Sequence, residues 1–235
     1  KSTEYITVRV KTAGRSIHEA ADRALDAVNL LRGLWTLFAT YGTWTFRFGK
    51  TREDPIGVIH TGPVHTLHRP DGSPAENIFW FEPHYAGDRK LFRPKSGWPK
   101  LDKLRHWAVR RMSRLGHRQD LERLVMRYAQ ALDQSNLDVA FLQMWAILEK
   151  MTDTVGANYD ETIRRAIWPF KDRQVAKETL EHLRFRRNQY VHAARSGQGR
   201  DQIVYMVKSF VDPHLVRLIR NDFEVESLAE YGEFL

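Results

Sequence analysis

Apolar positions along the first third of the chain change their period twice. Ile6, Val8 and Val10 alternate with polar neighbours, the two-residue period of a half-buried strand over Tyr5 to Val10. Past the Gly14-Arg15 turn the period lengthens. Ala21, Leu25, Val28, Leu31, Trp35 and Phe38 recur every three or four residues and predict an amphipathic helix to about Phe38. Ser16 and Glu19 stand at capping-box spacing at its start, and its small early residues suit close packing onto a sheet. From Thr43 the short period returns. Trp44 to Phe48, Ile56 to Thr61, Val64 to Leu67 and Ile78 to Phe81 read as strands, with Gly62-Pro63 and Asp71-Gly72 supplying turns. The stretch to residue 100 thus predicts a small β-α-β-β-β region with an antiparallel sheet.

Pro83 to Pro99 holds three prolines and two glycines without periodicity, the composition of a long loop or linker and the best boundary in the chain. After it the pattern is wholly helical. Helices are expected over Leu101 to Leu115, Arg118 to Leu132, Leu137 to about Thr152, Asp160 to Phe170, from the Asp172 cap to the Ser196-Gly197-Gln198-Gly199 break, and over Asp201 to Asn221. The third of these carries Val139, Leu142, Gln143, Ala146 and Met151 on one face, flanked by Phe141, Trp145, Ile147 and Leu148. A helix apolar nearly all round belongs at the centre of a bundle. From Phe223 the tail is acidic with scattered apolar residues, which predicts a loose segment or one that docks on a partner. The expected class is α+β: a β-rich region over 1–100, then an all-α bundle over 101–235.

Composition narrows the chemistry. The 235 residues include no cysteine, which excludes disulfides, thiolate zinc sites and a cysteine nucleophile, and points to a cytoplasmic setting. No apolar run reaches the length of a membrane span and no signal-peptide pattern opens the chain. Lys1 stands directly ahead of a strand pattern, which reads as a fragment or a chain that has lost residues before it. A net charge of +8 favours polyanionic partners. Lys103, Arg105, Arg110, Arg111, Arg114, Arg118, Arg123 and Arg127 face only Asp120 and Glu122 between positions 103 and 127. Such a run is either a solvated helix face or a phosphate-tracking surface. His60, His65 and His68 invite a metal reading, but on one strand His65 points opposite to the other two, so no metal and no cofactor is expected.

One short stretch offers catalytic chemistry. In Leu183-Arg184-Phe185-Arg186-Arg187-Asn188-Gln189-Tyr190-Val191-His192, Arg187-Asn188 is followed four residues later by His192. RNA carries its own nucleophile, the 2′-hydroxyl beside the scissile phosphate. A neutral imidazole can take that proton near neutral pH, and a guanidinium fork can neutralise the charge growing on the phosphate oxygens. Asn188 can orient either group. The spacing alone is weak, because Arg111 and His117 nearly reproduce it across the helix end at Gly116. Helical geometry adds a constraint: Asn188 and His192 share a face, whereas Arg187 lies roughly 140° around from His192. The arginine must reach round, the helix must be distorted, or a second protomer must complete the site.

The Arg187-Asn188-x-x-x-His192 motif on a late helix, preceded by the apolar helix Leu137 to Lys150 ending in Glu149, resembles the HEPN superfamily, specifically its ApeA-like prokaryotic branch. The likeness covers about Leu101 to Asp222. It implies a helical bundle that pairs through its motif helices, so that two Arg-x4-His motifs face each other across a homodimer and form one composite RNA site. It further implies that His192 is the general base, Arg187 the phosphate clamp, Asn188 the polar helper and Glu149 an orienting acid. Arg105, Arg110, Arg111, Arg114 and Arg186 are the RNA-binding candidates. The function implied is a metal-independent endoribonuclease, a toxin or effector of antiviral defence held silent by a regulatory or antitoxin partner. The competing reading is a catalytically silent HEPN-type module that dimerises or binds RNA or nucleotide. A plain DNA-binding helical protein is a third reading, resting on the basic run alone.

Overall fold

The computed structural model describes residues 7–42, 55–81, 92–156, 158–193 and 200–235; the side chains at 77, 78, 192 and 193 lie outside that description. Among these residues a short antiparallel hairpin accompanies a multi-helix bundle, a generic α+β architecture.

Helix α1, Ile17–Thr40, starts where the capping signal places it: Ser16 Oγ accepts from the Glu19 amide at 3.1 Å, and Glu19 accepts in return from the Arg15 amide at 2.7 Å. Its main partners are later helices. α1 packs on α2 (Trp98–Met112) and above all α3 (Arg118–Asp133), while His18 in its first turn meets Trp80 of the hairpin edge-on at 6.5 Å. The fully buried line is Gly33, Leu34 and Leu37, in one core with Leu121, Leu124 and Val125 of α3. Gly33 permits this, because a Cβ there would stand 2.5 Å from the Val125 carbonyl oxygen.

The described strands are β1, Val64–His68, and β2, Pro74–Phe81, paired Val64↔Phe81, His65↔Trp80 and Thr66↔Phe79 around the Asp71-Gly72 turn. Residues 7–10 form no strand, and positions 5, 6 and 44–48 of the expected strands lie outside the described residues. The 56–61 stretch is also no strand. It folds as an irregular segment against the end of α3, where Gly57 N–H donates to the Leu132 carbonyl at 2.7 Å and Ile56 is buried. A helix-end carbonyl thus takes a backbone donor of this stretch.

The rest is helical: α4 (Leu137–Met151), α5 (Tyr159–Ala166), α6 (Arg173–Ala193), α7 (Arg200–Arg220) and α8 (Leu228–Phe234). α4, capped by Asn136, is central and runs along α7 while touching α3, α5, α6 and α8. Its burial is not complete: Gln143 and Ala146 face solvent. No described helix is long and apolar enough to cross a membrane.

The acidic tail is neither loose nor awaiting a partner; it forms α8 and seals the bundle. Leu228, Tyr231 and Leu235 are buried, Ser227 caps the helix, and Arg164 donates to the Leu235 carbonyl at 3.2 Å. The anchor is His214 of α7, wholly buried. Its Nε2–H donates to the Ala166 carbonyl at 3.1 Å, so its Nδ1 accepts from the Tyr231 hydroxyl at 2.8 Å. Burial lowers this imidazole from 6.5 to about 4 and pushes the Tyr231 phenol up. A histidine whose folded pKa is depressed contributes stability that is present above about 6.5 and lost as pH falls through about 4. His214 should therefore account for roughly 3 kcal/mol of acid destabilisation across that window. Urea unfolding of wild type and His214→Gln at several pH values checks this. The difference between the two should narrow as the pH drops, and a pH-independent difference would refute it.

Candidate functional site

α6 is a helix of one-sided cover. Asp172 accepts from the Val175 amide at 3.1 Å to start it, and Gln174–Glu178 and Lys177–Glu181 stabilise its outer surface. Its inner line, Ala176, Leu180 and Leu183, is buried against the bundle. Arg187 continues that line, four residues after Leu183 and seven after Leu180. The helix stays α-helical through the whole motif, so distortion of the helix is not how the arginine and histidine positions are reconciled.

Arg187 is placed by an aromatic ring. Its guanidinium carbon lies 5.1 Å from the centroid of Tyr159, at the first turn of α5, where Asn158 caps the helix by accepting from the Asp160 amide at 2.9 Å. A cation over a ring face uses the π-cloud and leaves the in-plane N–H fork available. No ion pair of Arg187 occurs among the described residues. Tyr159 in turn packs edge-to-face on Trp145 of α4, at 6.2 Å, and the buried Trp145 indole N–H donates to Glu149 Oε1 at 2.7 Å. Arg187, Tyr159, Trp145 and Glu149 thus form one continuous chain across α6, α5 and α4.

Two of the four residues singled out from the sequence are joined in this chain, but indirectly. Glu149 is neither a plain surface carboxylate nor seen to hold an imidazole; it is half-buried and held by its own helix through Trp145. Asn188 is half-buried beside Arg187. The backbone of His192 belongs to α6, while its side chain lies outside the described residues. Arg184, three residues before Arg187, pairs with Asp160 at 2.7 Å and pins the motif helix to α5 a second time. Tyr159 and Trp145 escaped the sequence reading. The Trp145–Glu149 spacing of four was visible as a hydrogen-bonding pair on one helix face, but nothing in the sequence tied Tyr159 to α6.

The expected RNA-binding arginines separate into two kinds. Arg111 is occupied: Nε donates to the Arg220 carbonyl at 2.8 Å and Nη2 to the Asn221 carbonyl at 3.3 Å, capping the end of α7. Arg105 pairs with Asp102 at 2.7 Å and lies over Trp35 at 5.8 Å. Arg110 and Arg114 are exposed, with no ion pair among the described residues; Arg186 is half-buried on α6. The Arg111–His117 look-alike is a packing feature. His117 is buried, its ring nitrogen 3.4 Å from the Leu218 carbonyl oxygen.

The three histidines go separate ways. His60 Nδ1 stands 3.3 Å from Asp133 Oδ1, beside the buried Arg32–Asp133 pair at 2.5 Å. His68 bonds Thr66 and the Gly72 carbonyl within the hairpin, and His65 lies on the opposite strand face, paired with Trp80. Among the described residues no group of three or more His, Asp or Glu side chains converges as metal ligands would.

Comparison with protein-family models, curated proteins and solved structures finds no match to this chain. What the site can do therefore rests on its own residues.

Proposed function

We propose that this chain is a metal-independent endoribonuclease of the HEPN kind, an effector or toxin of antiviral defence that acts in the cytoplasm on RNA. The carrying observation is Arg187, held over Tyr159 with its N–H fork uncommitted among the described residues. In the proposed reaction His192 takes the proton of the RNA 2′-hydroxyl. The 2′-oxygen forms a bond to phosphorus, the bond to the 5′-oxygen breaks, and that oxygen takes a proton from solvent. Products are a 2′,3′-cyclic phosphate and a 5′-hydroxyl. Arg187 neutralises the equatorial oxygens, Asn188 orients, and Glu149 acts as a positioning residue through Trp145 and Tyr159.

The angular offset between positions 187 and 192 supports a composite site. α6 is α-helical through the motif and Arg187 lies over Tyr159 of its own chain, which favours a second protomer as the way the motif is completed. A regulatory partner keeping such a dimer silent is part of the same proposal.

A second reading has its own support. Arg187 on Tyr159 and Glu149 on Trp145 each have a packing role, which a catalytically silent dimerisation, RNA-binding or nucleotide-binding module would also retain. Cleavage of RNA in chelator by wild type and by His192→Ala separates the two. The enzyme reading expects cleavage by wild type and none by the variant, with unchanged circular dichroism and elution volume. Equal cleavage by both proteins sinks His192 as the base, and binding without cleavage by wild type sides with the silent module.

A further inference from the structure

Residues 92–114 carry eight cations (Arg93, Lys95, Lys100, Lys103, Arg105, Arg110, Arg111 and Arg114) against a single acid, Asp102. The structure sorts them. Asp102 is answered within the segment by Arg105, and Arg111 is spent on the end of α7. The other six are exposed and form no ion pair among the described residues. On α2 the buried line is Leu101, Ala108 and Met112. Lys103 and Arg110, seven residues apart and so about 10 Å along the axis, stand on the side opposite to it. Lys100 and Trp107 flank that stripe, and Arg114 continues it past the helix end.

One indole borders the stripe, and a second stands at the start of α2, nine residues earlier and so half a turn around the helix. Trp98, at the first position of α2, is 42% exposed although it packs edge-to-face on Trp35 at 6.0 Å and on Phe92 at 6.2 Å. Trp107 is 36% exposed while packed edge-to-face on Phe38 of α1 at 6.2 Å. Each ring is braced from behind and open in front, so little rotamer freedom remains to be lost when something stacks on it. Exposed apolar surface of this size inside a field of one sign needs a partner that is both anionic and flat-faced.

We infer that the α1–α2 face binds single-stranded RNA, with Lys103, Arg110 and Arg114 tracking phosphates and Trp107 stacking an unpaired base. Base stacking requires bases free of a duplex, and a cation track requires a regular anionic backbone. The choice of RNA over DNA rests on the ribonuclease reading; the surface itself does not. α2 packs on α1, α3 and α7, whereas the motif helix α6 packs on α4, α5 and α7. The proposed surface is therefore separate from the Arg187 site and holds a strand that the site would cut.

The test uses an uncleavable 2′-O-methyl oligouridine carrying a fluorophore, titrated with the full chain across a salt series. Wild type should bind the single strand more tightly than a duplex of equal length or phosphatidylserine vesicles. Lys103→Ala/Arg110→Ala/Arg114→Ala should lower the slope of log affinity against log salt by about 2, at about 0.7 per cation removed. Trp107→Leu, which keeps apolar bulk, should weaken binding about tenfold at fixed salt. Should that variant unfold, the charge variant decides alone, because all three of its positions are exposed. Unchanged slope and affinity in the charge variant, or equal affinity for duplex or vesicles, overturns the surface. Equal affinity for oligodeoxythymidine overturns the assignment to RNA. Specific binding here without RNA cleavage by wild type defeats the ribonuclease reading alone, and cleavage with binding indifferent to the three cations defeats this surface alone.

Discussion

Asp212→Ala is expected to destabilise the protein by about 3–5 kcal/mol, because it leaves a buried charge without its partner. Asp212 is buried on α7 one turn from Lys208, with 2.5 Å between Nζ and Oδ2, and Tyr128 of α3 donates its hydroxyl to Oδ1 at 2.9 Å. Lys208 also donates to the Thr40 carbonyl at 3.3 Å, which ties the last turn of α1 to α7. Burial raises the Asp212 carboxyl, while the Lys208 ammonium and the Tyr128 hydroxyl pull it back, and burial pushes the Tyr128 phenol well up. Removing the carboxylate strands the ammonium with one carbonyl and the face of Tyr128, 5.9 Å away. A paired change, Lys208→Met with Asp212→Leu, removes both charges and should restore most of the loss. Urea unfolding at neutral pH measures both, and a loss below about 1 kcal/mol in Asp212→Ala would show that the ammonium finds water.

The second large effect lies at Arg187. Arg187→Ala should reduce RNA cleavage about 100-fold or more, the cost of losing one preorganised charge-stabilising donor. Arg187→Lys should recover little, because an ammonium neither stacks flat on Tyr159 nor offers a two-pronged fork. Tyr159→Leu should fall between wild type and Arg187→Ala, since the guanidinium keeps its charge but loses its seat. Single-turnover cleavage rates resolve this order. Full activity in Arg187→Ala would place the arginine in packing alone.

How far the sequence carried these conclusions depended on the range of the interaction. Three helix starts were legible because their signals are local: Ser16, Asn136 and Asp172 accept from amides two or three residues on. The partner of α1 was not. A three- to four-residue period says that a face is buried without saying against what, and the contact at Gly33 depends on Val125, far along the chain. The tail misled for the same reason. Its acidic composition describes its outer face, whereas His214 and Ala166 decide whether Tyr231 is buried. At the candidate site the motif and Glu149 could be picked out by type and spacing. The rings that connect Arg187 to Glu149 come from α5 and α4, so only the folded chain brings them together. Charge was the least legible property, since composition could not separate Arg111, spent on capping α7, from Arg110, its exposed neighbour.

The central claim is that RNA is cut by its own 2′-hydroxyl with His192 as base, and the chemistry of the cut ends tests it most directly. RNA incubated with wild type in chelator should yield 2′,3′-cyclic phosphate and 5′-hydroxyl termini, with a single 2′-deoxy substitution at the scissile nucleotide left uncut. Products bearing 5′-phosphates, or cleavage of the 2′-deoxy substrate at the same rate, would contradict the account.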